Sequence, residues 1–458
     1  MKIVLPALLL LLASYNSFAQ EDSILKNFKY RIDHYQAVGI TASAGGQYLH
    51  QKTPVSTLIK QDGASASTGV SYLFIKSTDR LLLTADGGLG VSYNGSRNLQ
   101  TNTNTRNSYL YPNYNVSVKW YNPRNSFFEL GSSGYISRNT IKTITDPAGT
   151  HIKNVFGAYQ LGVTIGVGKG RLENVTDMQN ALWLYKTLQE EQKITRSLSY
   201  DELYQLGQTI TKANNTRVLD ARRRTRYLLK TIDSYLGGNN LLSSHDIDYF
   251  TALNDIAFFA INEPRYSGTE KFIRLTPYVS GNYNTQFDKL QVTEQRNNRF
   301  NKAAELSIGV NRYRPLNLKH QINYGASLLG NYISFRDKME YYSGGSFINS
   351  QVNKSSLKQA GINLFYEHAI YPNTRTSIKF GVNADAGVQS YTGNSTEYYQ
   401  RVSLYSNFNY FISNRVRFTG TLSAGYNKNI YDYKNFYSPV KLTNGFQING
   451  NAGIIIGF

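Results

Sequence analysis

The residues best suited to metal ligation or acid–base work are six histidines: His34, His50, His151, His245, His320 and His368. None stands in an HExxH or comparable ligand spacing. The chain has no cysteine, which removes thiolate metal sites and disulfide scaffolds. A hydrolase at a membrane surface needs a Ser/His or Asp/His set gathered near one rim, and no motif gathers one. Gly168-Lys169-Gly170 is a lone glycine pair outside any strand–turn–helix setting, so it reads as a bend and not as a phosphate loop. The expectation is a chain with no catalytic residues, no cofactor and no metal.

Charge is the chemistry that remains. Acids and bases are scattered singly at Asp86, Lys119, Glu129, Arg274, Glu305, Glu367, Lys379, Asp385, Arg401, Arg415 and Arg417. A second group is dense: Arg222, Arg223, Arg224 and Arg226, with Arg217 and Lys230 nearby. What either group does depends on the elements that carry it.

Those elements are mostly strands. The last residues show the pattern: Phe446, Ile448, Ala452, Ile454, Ile456 and Phe458 on one parity, Gln447, Asn449 and Asn451 on the other. Period 2 places the two sets on opposite faces of a strand. The same alternation runs through 376–389 and 415–427. About fourteen such segments follow one another, at 36–49, 66–77, 80–93, 107–121, 125–138, 154–168, 270–284, 300–313, 318–334, 356–369, 374–391, 396–411, 415–428 and 441–458. Ten or more alternating residues per strand is the length that crosses a bilayer at a tilt. The fold class expected is a transmembrane antiparallel β-barrel of about fourteen strands with a small all-α domain inserted. A mean hydropathy of −0.41 fits, because lipid sees one parity only.

Connections support this. Every second junction is tight: 77–80, 122–125, 314–317, 371–374 and 413–415. The others, such as 94–106, 140–153, 286–299 and 336–355, are long and rich in Asn, Ser, Thr and Gly. Short turns on one side and long loops on the other are what a bacterial outer-membrane barrel has. Residues 1–19 read as a secretory signal peptide, with Lys2, an apolar run over 3–13, and Ser17 and Ala19 before the cleavage point at Gln20.

One junction breaks the pattern. Between barrel halves at 20–170 and 266–458 lies 171–265, which reads as four helices on the periplasmic side. Met178, Ala181, Leu182, Tyr185 and Leu188 form one stripe. Ser199 and Glu202 make a capping box before Leu203, Leu206 and Ile210. Val218, Ala221, Leu228, Ile232 and Tyr235 precede Gly237-Gly238, and Ser244 followed by Asp246 caps a last helix with Phe250, Leu253, Ala257 and Ala260 on one face.

Phe18-Ala19-Gln20, the terminal Phe458, and Gly168-Lys169-Gly170-Arg171-Leu172-Glu173-Asn174-Val175-Thr176-Asp177 resemble uncharacterised outer-membrane barrels of the Bacteroidota type that carry a central helical periplasmic insert. That resemblance implies no assigned activity. It also implies that Ile454, Ile456 and Phe458 resemble the signal read by the barrel assembly machinery.

The scattered charges fall on the polar parity, because a charge facing lipid near the midplane costs about 2–4 kcal/mol. They either line an aqueous conduit or pair across the lumen and close it. The arginine cluster reads either as a solvated helix face or as a dock for an anionic partner: a lipid headgroup, peptidoglycan, or an acidic periplasmic protein. Nucleic acid is excluded by compartment. The chain carries a net charge of +19, yet 171–265 holds 12 basic and 12 acidic residues, so the excess belongs to the barrel and faces outer-membrane lipid and lipopolysaccharide. The leading functional expectation is a non-enzymatic outer-membrane barrel whose insert docks an envelope partner or plugs the pore. A porin-like, anion-favouring channel is second, and an outer-membrane surface hydrolase is third.

Overall fold

The computed structural model describes residues 19–52, 58–99, 101–145, 149–216, 221–258, 264–392, 395–412, 416–433 and 441–456. Six strands come first: β1 (Ile32–Lys52), β2 (Leu58–Ser77), β3 (Leu81–Asn98), β4 (Thr103–Tyr121), β5 (Ser126–Thr145) and β6 (Thr150–Asn174). Eight follow the insert: β7 (Tyr266–Asp288), β8 (Thr293–Pro315), β9 (His320–Ser343), β10 (Ser346–Asn373), β11 (Thr376–Tyr391), β12 (Ser395–Phe411), β13 (Val416–Tyr433) and β14 (Lys441–Ile456). They form one antiparallel sheet in sequence order. β1 and β14 end that order, and no pair between them is among the described residues.

The sheet coils on itself. Four strand spacings separate β2 from β6, about 19 Å in a flat sheet, yet Arg171 Nη2 lies 2.8 Å from Ser77 Oγ. Arg31, just before β1, meets Glu173 at the end of β6 at 2.8 Å. Large apolar side chains stand exposed on the convex face, for example Leu89 and Val91 of β3, Leu161 and Ile165 of β6, and Val402 and Leu404 of β12. The fold is that of an outer-membrane transmembrane β-barrel. Fourteen strands at the usual tilt give a wall about 28 Å across between backbones.

The strands are longer than alternation predicts. β5, β6, β7, β8, β9 and β10 continue through stretches expected as loops, and end in tight tips such as Ser343–Ser346. Beyond the bilayer both faces meet water, so the apolar period vanishes while the hydrogen-bonded ladder persists. At the other end, turns are built on asparagine: Asn122, Asn317 and Asn373 each accept an N–H from the residue two positions on, at 3.0, 2.8 and 2.8 Å.

Five helices gather at that end: α1 (Ala19–Asn27), α2 (Thr176–Glu190), α3 (Tyr200–Asn215), α4 (Ala221–Gly238) and α5 (Ile247–Phe258). The Ser199–Glu202 capping box opens α3, and Arg196 beside Glu202 holds its carboxyl down at about 2. α2 is buried nearly all round, including Trp183 and Leu184 outside the expected stripe, because α1, α3 and α5 all pack on it. Sequence pattern had not placed α1 in this body; its Ile24 and Leu25, with Phe28, are fully or almost fully buried there. On α5 the buried face runs through Tyr249, Leu253 and Ile256 while Phe250 is exposed, a register one residue from the expected one. Asp246 caps the Tyr249 amide at 3.2 Å and so sets that register. Val218 and Ala260 lie outside the described residues.

Candidate functional site

The helical body joins the barrel through two necks, and an arginine marks each. At the end of β6, Gly170 has φ +95°, and near the start of β7 Gly268, paired with Leu172, has φ +125°. A side chain at either would strike the facing backbone, so this crossing of two strands requires glycine. Next to Gly170, the Arg171 guanidinium turns across the mouth to the β2–β3 turn. It donates to Thr78 O at 2.7 Å and Ser77 Oγ at 2.8 Å, and lies 4.7 Å from the Tyr121 ring centroid at the end of β4.

Arg265, at the other neck, does the same to the opposite half. It donates to Gln321 Oε1 at 2.7 Å, Leu318 O at 2.9 Å, Asn317 O at 2.6 Å and His320 O at 3.0 Å, all in or after the β8–β9 turn. Its ring partner is Tyr371 at the end of β10, 4.9 Å away. Arg265 is 0% exposed, and burial pulls its pKa down to about 10, so it stays cationic at neutral pH. A third tie joins Asp255 of α5 to Arg375 in the β10–β11 turn at 2.6 Å. Both neck arginines were visible in the sequence only as the limits of the insert.

Above the necks the concave face carries a network. Lys119 of β4 reaches Glu270 of β7 at 2.7 Å. Arg274 of β7 bridges Glu129 of β5 and Glu270, each at 2.7 Å. Tyr121, Phe127 and Phe272 pack beneath, with Lys119 4.9 Å from the Phe127 centroid and Arg274 3.9 Å from that of Phe272. In the second half, Glu367 of β10 accepts from Asn323 at 2.8 Å and Tyr405 at 2.9 Å. Ring atoms of Phe127, Phe272, Phe365 and Tyr405 occupy the space a side chain would need at Gly168, Gly309, Gly325 and Gly381 of neighbouring strands.

The other charged positions sit apart from this cluster. Asp86 accepts from Asn115 at 2.9 Å, and Asp385 accepts from Asn363. Glu305 stands in register with Thr276 and Asn331, and Lys379 with Ala369 and Asn407. Arg401 faces Asp385 across the β11–β12 ladder and lies 5.2 Å from the Tyr399 ring, while Arg417 lies 6.0 Å from that of Phe411. Arg415 is outside the described residues. Arg223, Arg226 and Lys230 are exposed on α4; the side chains of Arg222 and Arg224, and Arg217 entirely, are outside the described set. Ile454 is exposed on the convex face, and the Ile456 side chain and Phe458 are not described. His320 and His368 face each other on the convex side at 3.3 Å, at the insert end of β9 and β10. Among the described residues no three His, Cys, Asp or Glu converge as metal ligands.

No protein-family model matches the chain and no curated protein matches it. Among solved structures it is similar to a deltaS2 mutant of the monoaromatic hydrocarbon channel TodX, at 8% identity over 95% of this chain and 94% of that one, TM-score 0.33. It is also similar to the Pseudomonas putida toluene transporter TodX (7% identity, 97% and 95% covered, TM-score 0.32). A third likeness is to the β domain of the Bordetella autotransporter BrkA (8% identity, 93% and 100% covered, TM-score 0.26). All three are outer-membrane β-barrels.

Proposed function

We propose that this is a non-enzymatic integral outer-membrane barrel whose helical body is a fixed periplasmic cap on the pore. The observation that carries the reading is the pair of neck arginines. Arg171 ties the body to the β2–β3 turn and Arg265 ties it to the β8–β9 turn, on opposite sides of the mouth. A partner-docking module on a flexible stalk would need neither contact. The exposed Arg223, Arg226 and Lys230 of α4 give the cap a basic surface suited to an anionic envelope partner such as peptidoglycan or an acidic periplasmic protein.

A porin-like channel is the second reading, favoured by rings that nest into the space left by wall glycines. Planar-bilayer conductance separates the two. A cap predicts a nearly silent wild type and steady conductance once Arg171 and Arg265 are both replaced by alanine. A wild type that already conducts steadily, at a level the double variant does not change, refutes the cap.

A further inference from the structure

Between α3 and the foot of β1 lies a cleft of about 670 Å³. Its walls include Arg31, His34, Gln205, Thr209, Lys212 and Tyr235, and no carboxylate is among its described lining residues. Arg31 is committed to Glu173 and Asp79, each at 2.8 Å. The Lys212 ammonium has no acidic partner among the described residues, and the His34 ring meets only the edge of Phe74, 5.5 Å between centroids, among them. The cleft is therefore a polar hollow with an unmatched positive charge and several neutral donors.

Its position says what charge it meets. The His34 ring meets Phe74, whose register partner Gln36 shares the convex parity of Val38 and Ile40, which are 67% and 75% exposed and face lipid. Four residues of strand place His34 about 13 Å along β1 from Val38, and about 10 Å lower once the strand tilts. That is headgroup depth below an apolar band. Phe74 and Tyr72 of β2 extend the same outward wall upward. The chain that enters β1 is strapped along α3, with Gln208 Nε2 donating to Lys29 O at 2.8 Å and the Tyr30 hydroxyl donating to Asn215 Oδ1 at 3.3 Å. Gln208 and Asn215 of the lining thus hold the chain that enters β1, while the Lys212 and His34 side chains take no part in those ties.

We propose that this cleft binds the phosphate of an anionic phospholipid in the leaflet on the insert's side, with Lys212 and His34 as phosphate donors and the acyl chains against Val38 and Ile40. The site stands whether or not the pore conducts, so it can fail without touching the cap and the reverse. A free phosphate ion shares the headgroup chemistry, but nothing would hold it at the edge of the apolar band.

The test is native mass spectrometry of the full chain in detergent, loaded with phosphatidylglycerol or phosphatidylcholine. Phosphatidylglycerol should be retained about tenfold better, and Lys212→Gln should erase that preference. Lys212 is exposed, so the variant should keep the wild-type helix signal and heat-modifiability on gels; His34→Gln gives an independent second reading of the same site. Equal retention of the two lipids, or unchanged preference in both variants, overturns the proposal. So does complete displacement by 10 mM inorganic phosphate (~10 mM being ample for a single weak anion contact), which would make the site one for the free ion.

Discussion

Arg265 offers the sharpest test of how the helical body is held. Arg265→Met keeps the length of the side chain and removes every donor. Four acceptors lose their partner at once: Asn317 O, Leu318 O, His320 O and Gln321 Oε1. A buried acceptor left unsatisfied costs about 1–3 kcal/mol, and water at the mouth pulls each toward the low end, for about 4 kcal/mol in all. Losing the Tyr371 stack adds about 0.5–1 kcal/mol. Against this, the guanidinium has no carboxylate among its partners, so removing it relieves a desolvation cost of about 1–2 kcal/mol. The net is about 3 kcal/mol, or roughly 100-fold in the equilibrium for detaching the body from the β8–β9 turn.

Hydrogen exchange followed by mass spectrometry reads this directly. Peptides covering 315–322 and the start of α2 should exchange roughly 100-fold faster in Arg265→Met, while those from the middle of β12 should not change. Arg265→Lys should fall between, because a single ammonium reaches about two of the four acceptors. Rates within threefold of wild type across 315–322 in the methionine variant would refute the clamp (~threefold being the additivity error of such cycles).

Two further outcomes are expected. Gly381→Ala forces Tyr405 off the wall and breaks its bond to Glu367, so the barrel should lose about 1–3 kcal/mol in urea unfolding, with Tyr405→Leu restoring most of it. The Lys193 ammonium beside Asp246 holds that carboxyl at about 2, below its ordinary 3.8, so its contribution to the helical body is complete above pH 3.8 and fades as pH falls to about 2; circular dichroism at the helix band should show that loss in wild type and a flatter acid profile in Asp246→Asn.

What the sequence made legible follows from which faces meet lipid. All fourteen strands could be placed because a lipid-facing residue must be apolar and its neighbour need not be. Their outer extensions were hidden because water on both faces removes the constraint. The polar parity of Lys119, Glu129 and Arg274 was readable, but not that they converge with Glu270, because partners three strands apart depend on the register of every ladder between them. Glu270 itself, and the rings over Gly168 and Gly381, were missed for the same reason. Arg171 and Arg265 carried a weak signal: a lone arginine at each edge of the insert, next to a strand end. α1 was missed because it follows directly on the stretch expected as a signal peptide and its apolar residues are too few to form a stripe.

The sheet order gives these separate contacts a common consequence. In a fourteen-stranded ring, β7 and β8 stand opposite β1. The helical body leaves the wall at β6 and returns at β7, but it also holds Ile24, Leu25 and Phe28, the residues that lead into β1. Arg31 closes that loop by reaching Glu173 at the end of β6. The body is therefore fastened at both ends of a diameter, and a body so fastened cannot swing like a hinged lid. Opening would require one fastening to release first. The β1 end is the weaker of the two, because Arg31 is partly exposed and its partner Asp79 is largely so, whereas Arg265 is sealed. Any release of the cap should start beside β1, under the same edge where the proposed lipid cleft lies.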